Sequence, residues 1–282
     1  MTATTFSLVA LSALMHAYWN FLLKRSGGSQ TVVALSKLVE AALFLPLLVF
    51  GGTPHAGQLR DLWLLPSIGA VFVLANYVLL AAAYMRGDLS IIYPVVRGGI
   101  LAFLPPLAYL TIGERLTPLG WTAIAAILTG IVVLQYRRGP VGAGASTTAI
   151  LLALAAGLVS AGNTIWDKAA IQTLSPITYF GAYTVIVGVC YSAILRRTAA
   201  ATIWRDHRWA IVQIGLFNSG SYLLALAALK TGGATHVIAT RQLSIAIGAL
   251  LGWRWLGEAL PAPRIAGILF IVAGCILMGV AR

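Results

Sequence analysis

Ten apolar stretches of the chain are each long enough to cross about 30 Å of hydrocarbon as an α-helix. Of the 282 residues, 60% are apolar and 9% are charged, whereas a soluble domain carries roughly 25% charged residues. This composition excludes an ordinary water-soluble fold and also intrinsic disorder. No stretch alternates with a period of two, so membrane strands are not expected. The sequence therefore predicts an all-α membrane protein with ten transmembrane helices, at residues 4–23, 31–50, 62–84, 89–111, 117–136, 147–167, 176–195, 209–229, 233–256 and 263–281.

Three further features agree with this class. The net charge of +12 follows from the retention of Lys and Arg in cytoplasmic loops, so we expect the lipid bilayer and no nucleic acid as a partner. The first stretch is followed by Lys24 and Arg25 instead of a small-residue cleavage site, which predicts a retained helix and not a signal peptide. Cys190 and Cys275 lie inside apolar stretches without metal-type or redox-type spacing, and they are expected to pack as small apolar side chains.

The chain divides almost equally at a basic and then Gly-rich linker, residues 137–146. Shifting the sequence by 144 positions, without a gap, aligns charged residues that are rare in this chain. Because each half has an odd number of helices, the second half must be inverted in the membrane. We therefore predict two inverted five-helix repeats, residues 1–140 and 145–282, in one membrane domain. The aligned pairs are Lys24 with Lys168, Arg97 with Arg241, Gly113-Glu114 with Gly257-Glu258, Leu116 with Leu260, and Gly130 with Gly274.

The loop charges predict the orientation of the chain. Of the 19 basic residues, eleven lie in loops opposite the N-terminus and five lie on the side of the N-terminus. An excess of Lys and Arg marks the cytoplasmic side. We therefore expect a multi-pass protein of the cytoplasmic (inner) membrane with both termini outside.

These residues resemble the EamA-like branch of the drug/metabolite transporter superfamily. Each half has a Lys after its first helix and a Gly-Glu-x-Leu motif after its fourth, and the resemblance covers essentially the whole chain. Residues 16–20, His-Ala-Tyr-Trp-Asn, are similar to a subgroup named for its association with phosphonate utilisation. The resemblance implies alternating-access transport of a small organic solute, often an amino acid or another metabolite. It implies no ATP hydrolysis, and hence no ATPase subunit and no cofactor.

Four charged residues inside the predicted helices need an explanation, because a charge in the membrane is costly unless it faces a cavity or a partner. They are Lys37, Glu40, Arg97 and Arg241. At 1.5 Å per residue, Arg97 lies roughly 12 Å in from the nearer end of its helix. Polar residues of the first three helices fall at a similar depth, so helices one to four are expected to place polar groups in one layer.

We predict a solute-binding site built mainly on this layer. A mutual ion pair is the alternative role for Lys37 and Glu40, an interhelical hydrogen bond is the alternative for His16, and interfacial anchoring is the alternative for Trp19. The alternative for Arg97 is pairing with Glu40. The predicted binding residues are His16, Trp19, Asn20, Lys37, Glu40, Tyr77, Tyr93, Arg97, Asn163, Tyr222 and Arg241. Further polar candidates, for which packing between helices is the alternative, are Asn76, Tyr179, Tyr183, Asn218 and Gln242.

Away from their ends, the predicted helices carry three cations against the single carboxylate of Glu40, an excess of two positive charges. Such a site repels a cation and favours a carboxylate, phosphonate or phosphate, to which Arg offers a bidentate fork. The sequence therefore predicts an anionic or zwitterionic solute, amino acid-like or phosphonate-like, and argues against a pump for cationic drugs.

Glycines and prolines are expected to serve helix packing and bending. Gly248 and Gly252 in the ninth stretch, and Gly267 and Gly274 in the tenth, predict close helix approach. Pro94 and the pair 105–106 predict a break in the fourth helix near Arg97, either lining a cavity or forming a simple kink.

The alternative function is an integral membrane enzyme acting on a lipid or prenyl substrate. Such an enzyme normally needs clustered carboxylates or histidines for a metal, and the seven acidic residues and four His are scattered along the sequence. No filter-like loop indicates a channel, and Gly27-Gly28 lacks the Gly-Lys-Ser/Thr ending of a phosphate-binding loop. We therefore predict no catalytic residue and no metal site.

Overall fold

The computed structural model describes residues 1–27, 29–50, 56–135, 146–195 and 197–281. Within these ranges every extended regular element is an α-helix, as the long apolar stretches predict. The helices are α1 (Ala3–Arg25), α2 (Gln30–Phe50), α3 (Ala56–Tyr84), α4 (Leu89–Ile112), α5 (Pro118–Gln135), α6 (Thr147–Thr173), α7 (Pro176–Ile194), α8 (Arg197–Thr231), α9 (Ala234–Arg241), α10 (Leu243–Leu256) and α11 (Ala262–Val280).

Ten membrane spans of sufficient length and apolarity are present in the described ranges, with α9 and α10 together forming the ninth. The ten-helix prediction is confirmed, but three of its boundaries are wrong and one predicted helix is interrupted. Helix α3 begins at Ala56, α6 continues to Thr173, and α8 begins at Arg197 and bends at His207, whose backbone is not helical. The ninth span is interrupted at Gln242.

The break that the sequence predicted at the prolines of α4 is absent, and the simple kink that was its alternative stays a prediction. Helix α4 runs without interruption from Leu89 to Ile112 through Pro94 and the pair 105–106. The interruption lies instead at Gln242, directly after Arg241, where the Gln242 amide donates to the Ala239 carbonyl three residues earlier. This tight turn ends α9 and places Arg241 at a helix terminus.

The repeated Gly-Glu motif forms the same helix stop twice. Gly113 ends α4 and Gly257 ends α10, both with a left-handed backbone, at φ 68° and 69°. Glycine adopts this conformation without a steric penalty. The next amide then turns back in each case, from Glu114 to the Ala108 carbonyl and from Glu258 to the Gly252 carbonyl.

The main helix contacts join the two halves of the chain. Helix α1 packs on α8 as α3 packs on α6, and α4 packs on α6 as the α9–α10 span packs on α1. Helix α2 faces α7, and α5 faces α11. At the α2–α7 contact, Thr184 donates to Glu40, a residue 144 positions earlier. A twofold axis between the halves produces contacts of this kind, in which each helix of one half packs on the counterpart of its partner in the other half. The packing therefore supports the predicted inverted repeats, which stay a prediction. Of the predicted linker, residues 137–146, all but Ser146 lie outside the described residues.

The two ends of the helix bundle are fixed by contacts between distant residues. At the terminal end, the Met1 ammonium donates to the Gly279 carbonyl, and the Thr5 and Thr231 hydroxyls are hydrogen-bonded at 3.1 Å. At the opposite end, Lys24 forms an ion pair with Glu258.

Glycines allow α5 and α11 to approach closely. A Cβ atom added at Gly267 would lie 2.6 Å from the Leu134 backbone nitrogen, and one added at Gly274 would lie 2.8 Å from the Ala123 carbonyl oxygen. Gly130 meets the backbone of α11 in the same way. The prediction is wrong for Gly248, around which a Cβ atom would meet nothing within 4 Å.

These glycines give a matched test of helix packing. We expect Gly267→Ala to lower the free energy of unfolding by about 1–3 kcal/mol, because the new methyl group overlaps the backbone of α5. Gly248→Ala fits without contact and should be neutral or stabilising by up to about 1 kcal/mol. Thermal unfolding of both variants in detergent measures the difference, and equal midpoints would contradict this account of the α5–α11 contact.

Candidate functional site

Three basic side chains from three helices converge to form the basic cluster, defined as His16 of α1, Arg97 of α4 and Arg241 of α9. A guanidinium nitrogen of Arg241 donates to His16 Nδ1 at 3.3 Å and to the Ser221 hydroxyl at 3.1 Å. Arg97 lies close enough to His16 and Arg241 to interact electrostatically with both. The structure therefore brings together the two arginines that the repeat aligns.

His16 is neutral in this arrangement. Its Nδ1 atom accepts from Arg241 and from the Trp19 indole, each at 3.3 Å. Because an atom that accepts these bonds carries no proton, the proton of the ring is on Nε2. The Trp19 ring also stands edge-on to the imidazole, with centroids 5.2 Å apart. His16 therefore orients Arg241 without adding a positive charge.

Neither arginine of the basic cluster has a carboxylate in ion-pair contact within the part of the chain that the structure describes. Arg97 lies over the Tyr93 ring, 5.4 Å from its centroid, which is a cation–π contact. Arg241 bonds to neutral acceptors, and its buried Nε has no hydrogen-bond partner among the described residues. A guanidinium always stays charged, so this cluster offers donors to an anion.

Lys37 and Glu40 form a buried ion pair on α2. The Lys37 ammonium lies 3.0 Å from both carboxylate oxygens, and Glu40 has no exposed surface. Thr184 and Asn218 donate to the same carboxylate at 3.1 and 2.9 Å. The mutual pair that the sequence left open for these residues is therefore formed. Pairing of Arg97 with Glu40, the alternative for Arg97, does not occur.

Asp167 is a buried carboxylate that the sequence analysis missed. Tyr179 donates to one of its oxygens at 2.7 Å, and Tyr222 and Asn163 donate to the other. Asp167 is 4% exposed and lies close enough to Arg241 for the two charges to interact. The helix was predicted to stop at residue 167, whereas α6 carries Asp167 inside the bundle. Its spacing of four from Asn163, on the same helix face, was the available signal.

Asp167 changes the charge balance that the sequence predicted. The three cations Lys37, Arg97 and Arg241 now stand against two carboxylates, Glu40 and Asp167, so the excess falls from two positive charges to one. The ion pair on α2 is neutral by itself. The excess positive charge therefore lies at the basic cluster, where Arg97 and Arg241 stand against the one carboxylate of Asp167.

The other predicted residues surround these groups or point elsewhere. Asn163 donates to the Tyr222 hydroxyl at 3.3 Å. The Tyr77 ring lies edge-on to the Tyr191 ring, with the ring centroids 5.9 Å apart. Asn20 is exposed and donates to the His16 carbonyl of its own helix at 2.6 Å. The further candidates have contacts within the bundle, with Asn76 bound to Ser160, Tyr183 stacked on Tyr222, and Gln242 bound to the Ile238 carbonyl.

A second group of charged contacts, the terminal clasp, lies at the terminal end and is defined as Glu114, Lys168 and His236. Glu114 accepts from the amides of Ala234 and Thr235, at 2.7 and 3.0 Å, and contacts His236 Nδ1 at 3.3 Å. Although burial alone would raise the pKa of Glu114, hydrogen bonds from His236 and the two amides hold that pKa below its ordinary value. The clasp ties the end of α4 to the start of α9.

The terminal clasp predicts an acid-dependent loss of stability. Because the folded-state pKa of Glu114 is lowered, its contribution is fully present above the unfolded-state pKa of about 4.3 and is lost as pH falls through the lower folded value. We expect the unfolding midpoint of the native protein to fall more steeply between about pH 6 and pH 3 than that of Glu114→Gln. Asp206→Asn, at an exposed carboxylate, is the control and should keep the native slope. Identical slopes for the native protein and Glu114→Gln would contradict this role.

Comparisons with known proteins agree with the motifs in the sequence. Residues 147–280 match the EamA-like transporter family. The second half of the chain is thus similar to this family. The resemblance to the EamA-like branch is therefore confirmed, and the match to the phosphonate-associated subgroup stays a prediction. The matched region contains Asp167 and Arg241, and it contributes Thr184 and Asn218 to the Glu40 contacts.

Two individual proteins are similar to the chain. A Sinorhizobium sp protein named "Uncharacterized transporter in cobO 3'region" is 39% identical over 66 residues, which are 23% of this chain and 47% of that protein. The chain thus spans about half the length of the curated relative that it matches. A protein of known crystal structure is 15% identical and superposes with a TM-score of 0.77, over 98% of this chain and 96% of that chain. At this identity the likeness shows the fold alone.

Proposed function

We propose that the protein is a secondary transporter that moves a small organic anion across the cytoplasmic membrane, with the acidic group of the solute bound at the basic cluster. The observation that carries the proposal is the approach of Arg97 and Arg241, which have no ion-paired carboxylate in the described ranges. The two guanidinium groups and the nearby Asp167 carboxylate leave one excess positive charge in the membrane, which is costly, and an anionic solute removes that cost.

The carboxylates of the bundle favour an anion over a zwitterion. Glu40 accepts hydrogen bonds from three side chains, and Asp167 accepts from three others. A solute ammonium group would have to displace these donors. Amino acid-like zwitterions are the second candidate, and the observation in their favour is Asn163 Oδ1, a buried acceptor beside Asp167 with no partner among the described residues.

Alternating access is part of the proposal. The contacts between the halves, the hydrogen bond between Glu40 and Thr184, and the paired helix stops at Gly113 and Gly257 support two inverted repeats, residues 1–140 and 145–282. In such folds one repeat rocks against the other around a site between them. Arg97 belongs to the first repeat and Arg241 to the second, so rocking moves the two arginines relative to one another.

The proposed location is the cytoplasmic membrane, with both termini outside. The ten apolar spans support a multi-pass membrane protein. The excess of Lys and Arg at the opposite end of the bundle supports a cytoplasmic location for that end. We propose transport over the alternative of a lipid-modifying membrane enzyme because residues 147–280 match a transporter family and the curated relative is named as a transporter.

A thermal-shift screen tests the proposed solute class. Purified protein would be heated with monocarboxylates, alkyl phosphonates, amino acids and cationic dyes, because a ligand of the folded state raises the unfolding midpoint. We expect stabilisation by organic anions that is lost in Arg97→Gln. Stabilisation by amino acids alone would favour the second candidate. Stabilisation by cationic dyes, unchanged in Arg97→Gln, would overturn the proposal.

A further inference from the structure

The terminal clasp holds both sides of the turn between α8 and α9. Glu114 binds the first amides of α9, and the Lys168 ammonium binds the Leu229 and Gly232 carbonyls at the end of α8, at 2.9 and 2.6 Å. The exposed amides of a helix start attract an anion, and the exposed carbonyls of a helix end attract a cation. The Glu114 carboxylate therefore binds the partially positive start of α9, and the Lys168 ammonium binds the partially negative end of α8.

The opposite end contains the same charged residues in a different arrangement. Glu258 and Lys24 lie 144 positions from Glu114 and Lys168, but they pair with one another, and the Lys24 side chain is 64% exposed. Arg264 also contacts Glu258, at 3.6 Å. The turn equivalent to α8–α9 is the α3–α4 turn. Its helix start at Asp88 has no side-chain hydrogen bond, and neither Lys24 nor Glu258 bonds to it within the described residues.

We propose that Lys24 and Glu258 form a second clasp on the α3–α4 turn when the transporter changes state, and that the terminal clasp then opens. In this state Glu258 accepts from the first amides of α4, at residues 90 and 91, which are equivalent to Ala234 and Thr235. Lys24 donates to the carbonyls of Met85 and Asp88, which are equivalent to Leu229 and Gly232. The inference rests on the proposed function and assigns four residues to its conformational change.

The two clasps act on the helices that carry the arginines of the basic cluster. Glu114 follows α4, which carries Arg97, and it binds the start of α9, which ends at Arg241. When the terminal clasp is closed, it therefore holds α4 against α9 at the terminal end, and this fixes the position of Arg97 relative to Arg241. Glu258 follows the α9–α10 span and would bind the start of α4. The second clasp would therefore hold the same two helices together at the opposite end. Among the described residues only the terminal end has a clasp of this kind, and a clasp at one end at a time would fit the proposed alternating access.

Distances between paired spin labels test this inference without any solute. The labels are attached at Arg86→Cys with Ala259→Cys for the opposite end, and at Lys230→Cys with Arg115→Cys for the terminal end. The two pairs are related by the 144-residue shift, and all four native side chains are exposed. Both are made with Cys190→Ser, because Cys190 is also exposed.

We expect the terminal pair to be predominantly close and the opposite pair predominantly distant. Glu114→Gln should raise the close population of the opposite pair about tenfold, since it removes a charged helix-start contact from the competing state. Adding Glu258→Gln should cancel that rise. Asp206→Asn, which neutralises an exposed carboxylate, should change neither distance.

Two results would overturn the inference. One is an unchanged distance at the opposite end in Glu114→Gln, and the other is a rise that persists when Glu258→Gln is added. If Glu114→Gln does not fold, His236→Ala removes one Glu114 partner while keeping both amides, and it should give a smaller shift in the same direction. A loss of anion binding with the expected distances would count against the proposed function alone, because no solute enters this measurement.

Discussion

Replacing Arg97 by Gln is expected to weaken the binding of an organic anion by about tenfold to a hundredfold, the usual effect of losing a hydrogen bond to a charged group. Arg97→Lys should give an intermediate loss, because it keeps the charge but not the planar fork. Arg241→Gln should resemble Arg97→Gln. Titration of the purified variants by calorimetry measures these affinities.

The controls for this prediction separate binding from folding. Arg205→Gln changes an exposed arginine and should leave the affinity unchanged. Because Glu40 does not contact Arg97, the double variant Arg97→Gln/Glu40→Gln should fold less well than Arg97→Gln, since it also deprives Lys37 of its partner. Undiminished affinity in both single arginine variants, or restored folding in the double variant, would refute the site at the basic cluster.

Lys37→Met is expected to cause the largest loss of stability, about 3–5 kcal/mol, because it leaves the buried Glu40 carboxylate without its counter-charge. Lys37→Met/Glu40→Leu removes both charges and should recover most of this loss. The free energy of unfolding of the native protein, the single variant and the double variant is measured by titration with a denaturing detergent, followed by the helical circular dichroism signal.

An exposed ion pair provides the comparison for this buried one. Arg205→Met disrupts the pair with Asp206, whose side chains are 79% and 51% exposed, and should cost about 0–1 kcal/mol. If Lys37→Met and the double variant lose the same free energy, the pair does not stabilise the α2–α7 contact, and a role of Lys37 in the site becomes the better explanation.

The sequence predicted the helices well because the bilayer sets a minimum apolar length and leaves few alternatives. It also identified Arg97, Arg241 and His16, since polar groups inside apolar stretches are rare and costly. The pairing of Lys37 with Glu40 followed from their spacing of three on one helix.

The sequence failed where tertiary contacts decide the outcome. Asp167 was missed because a charge near the end of an apolar stretch is ambiguous, and only the packing of Tyr179 and Tyr222 shows that it is buried. Proline was expected to break α4, but the helix continues, while the chain turns at Gln242, which has no such signal. The partners of Glu114 lie about 120 positions away, beyond any local pattern.

Uptake of a labelled organic anion into liposomes that contain the purified protein tests the central claim most directly. The liposomes would be preloaded with the unlabelled anion that stabilises the protein most in the thermal screen, so that exchange drives accumulation of the label. We predict saturable uptake by the native protein and at least about tenfold slower uptake by Arg97→Gln of the same folded yield, at an anion concentration below saturation. Uptake that is equal in the two proteins, or no uptake of any anion that binds, would contradict transport through the basic cluster.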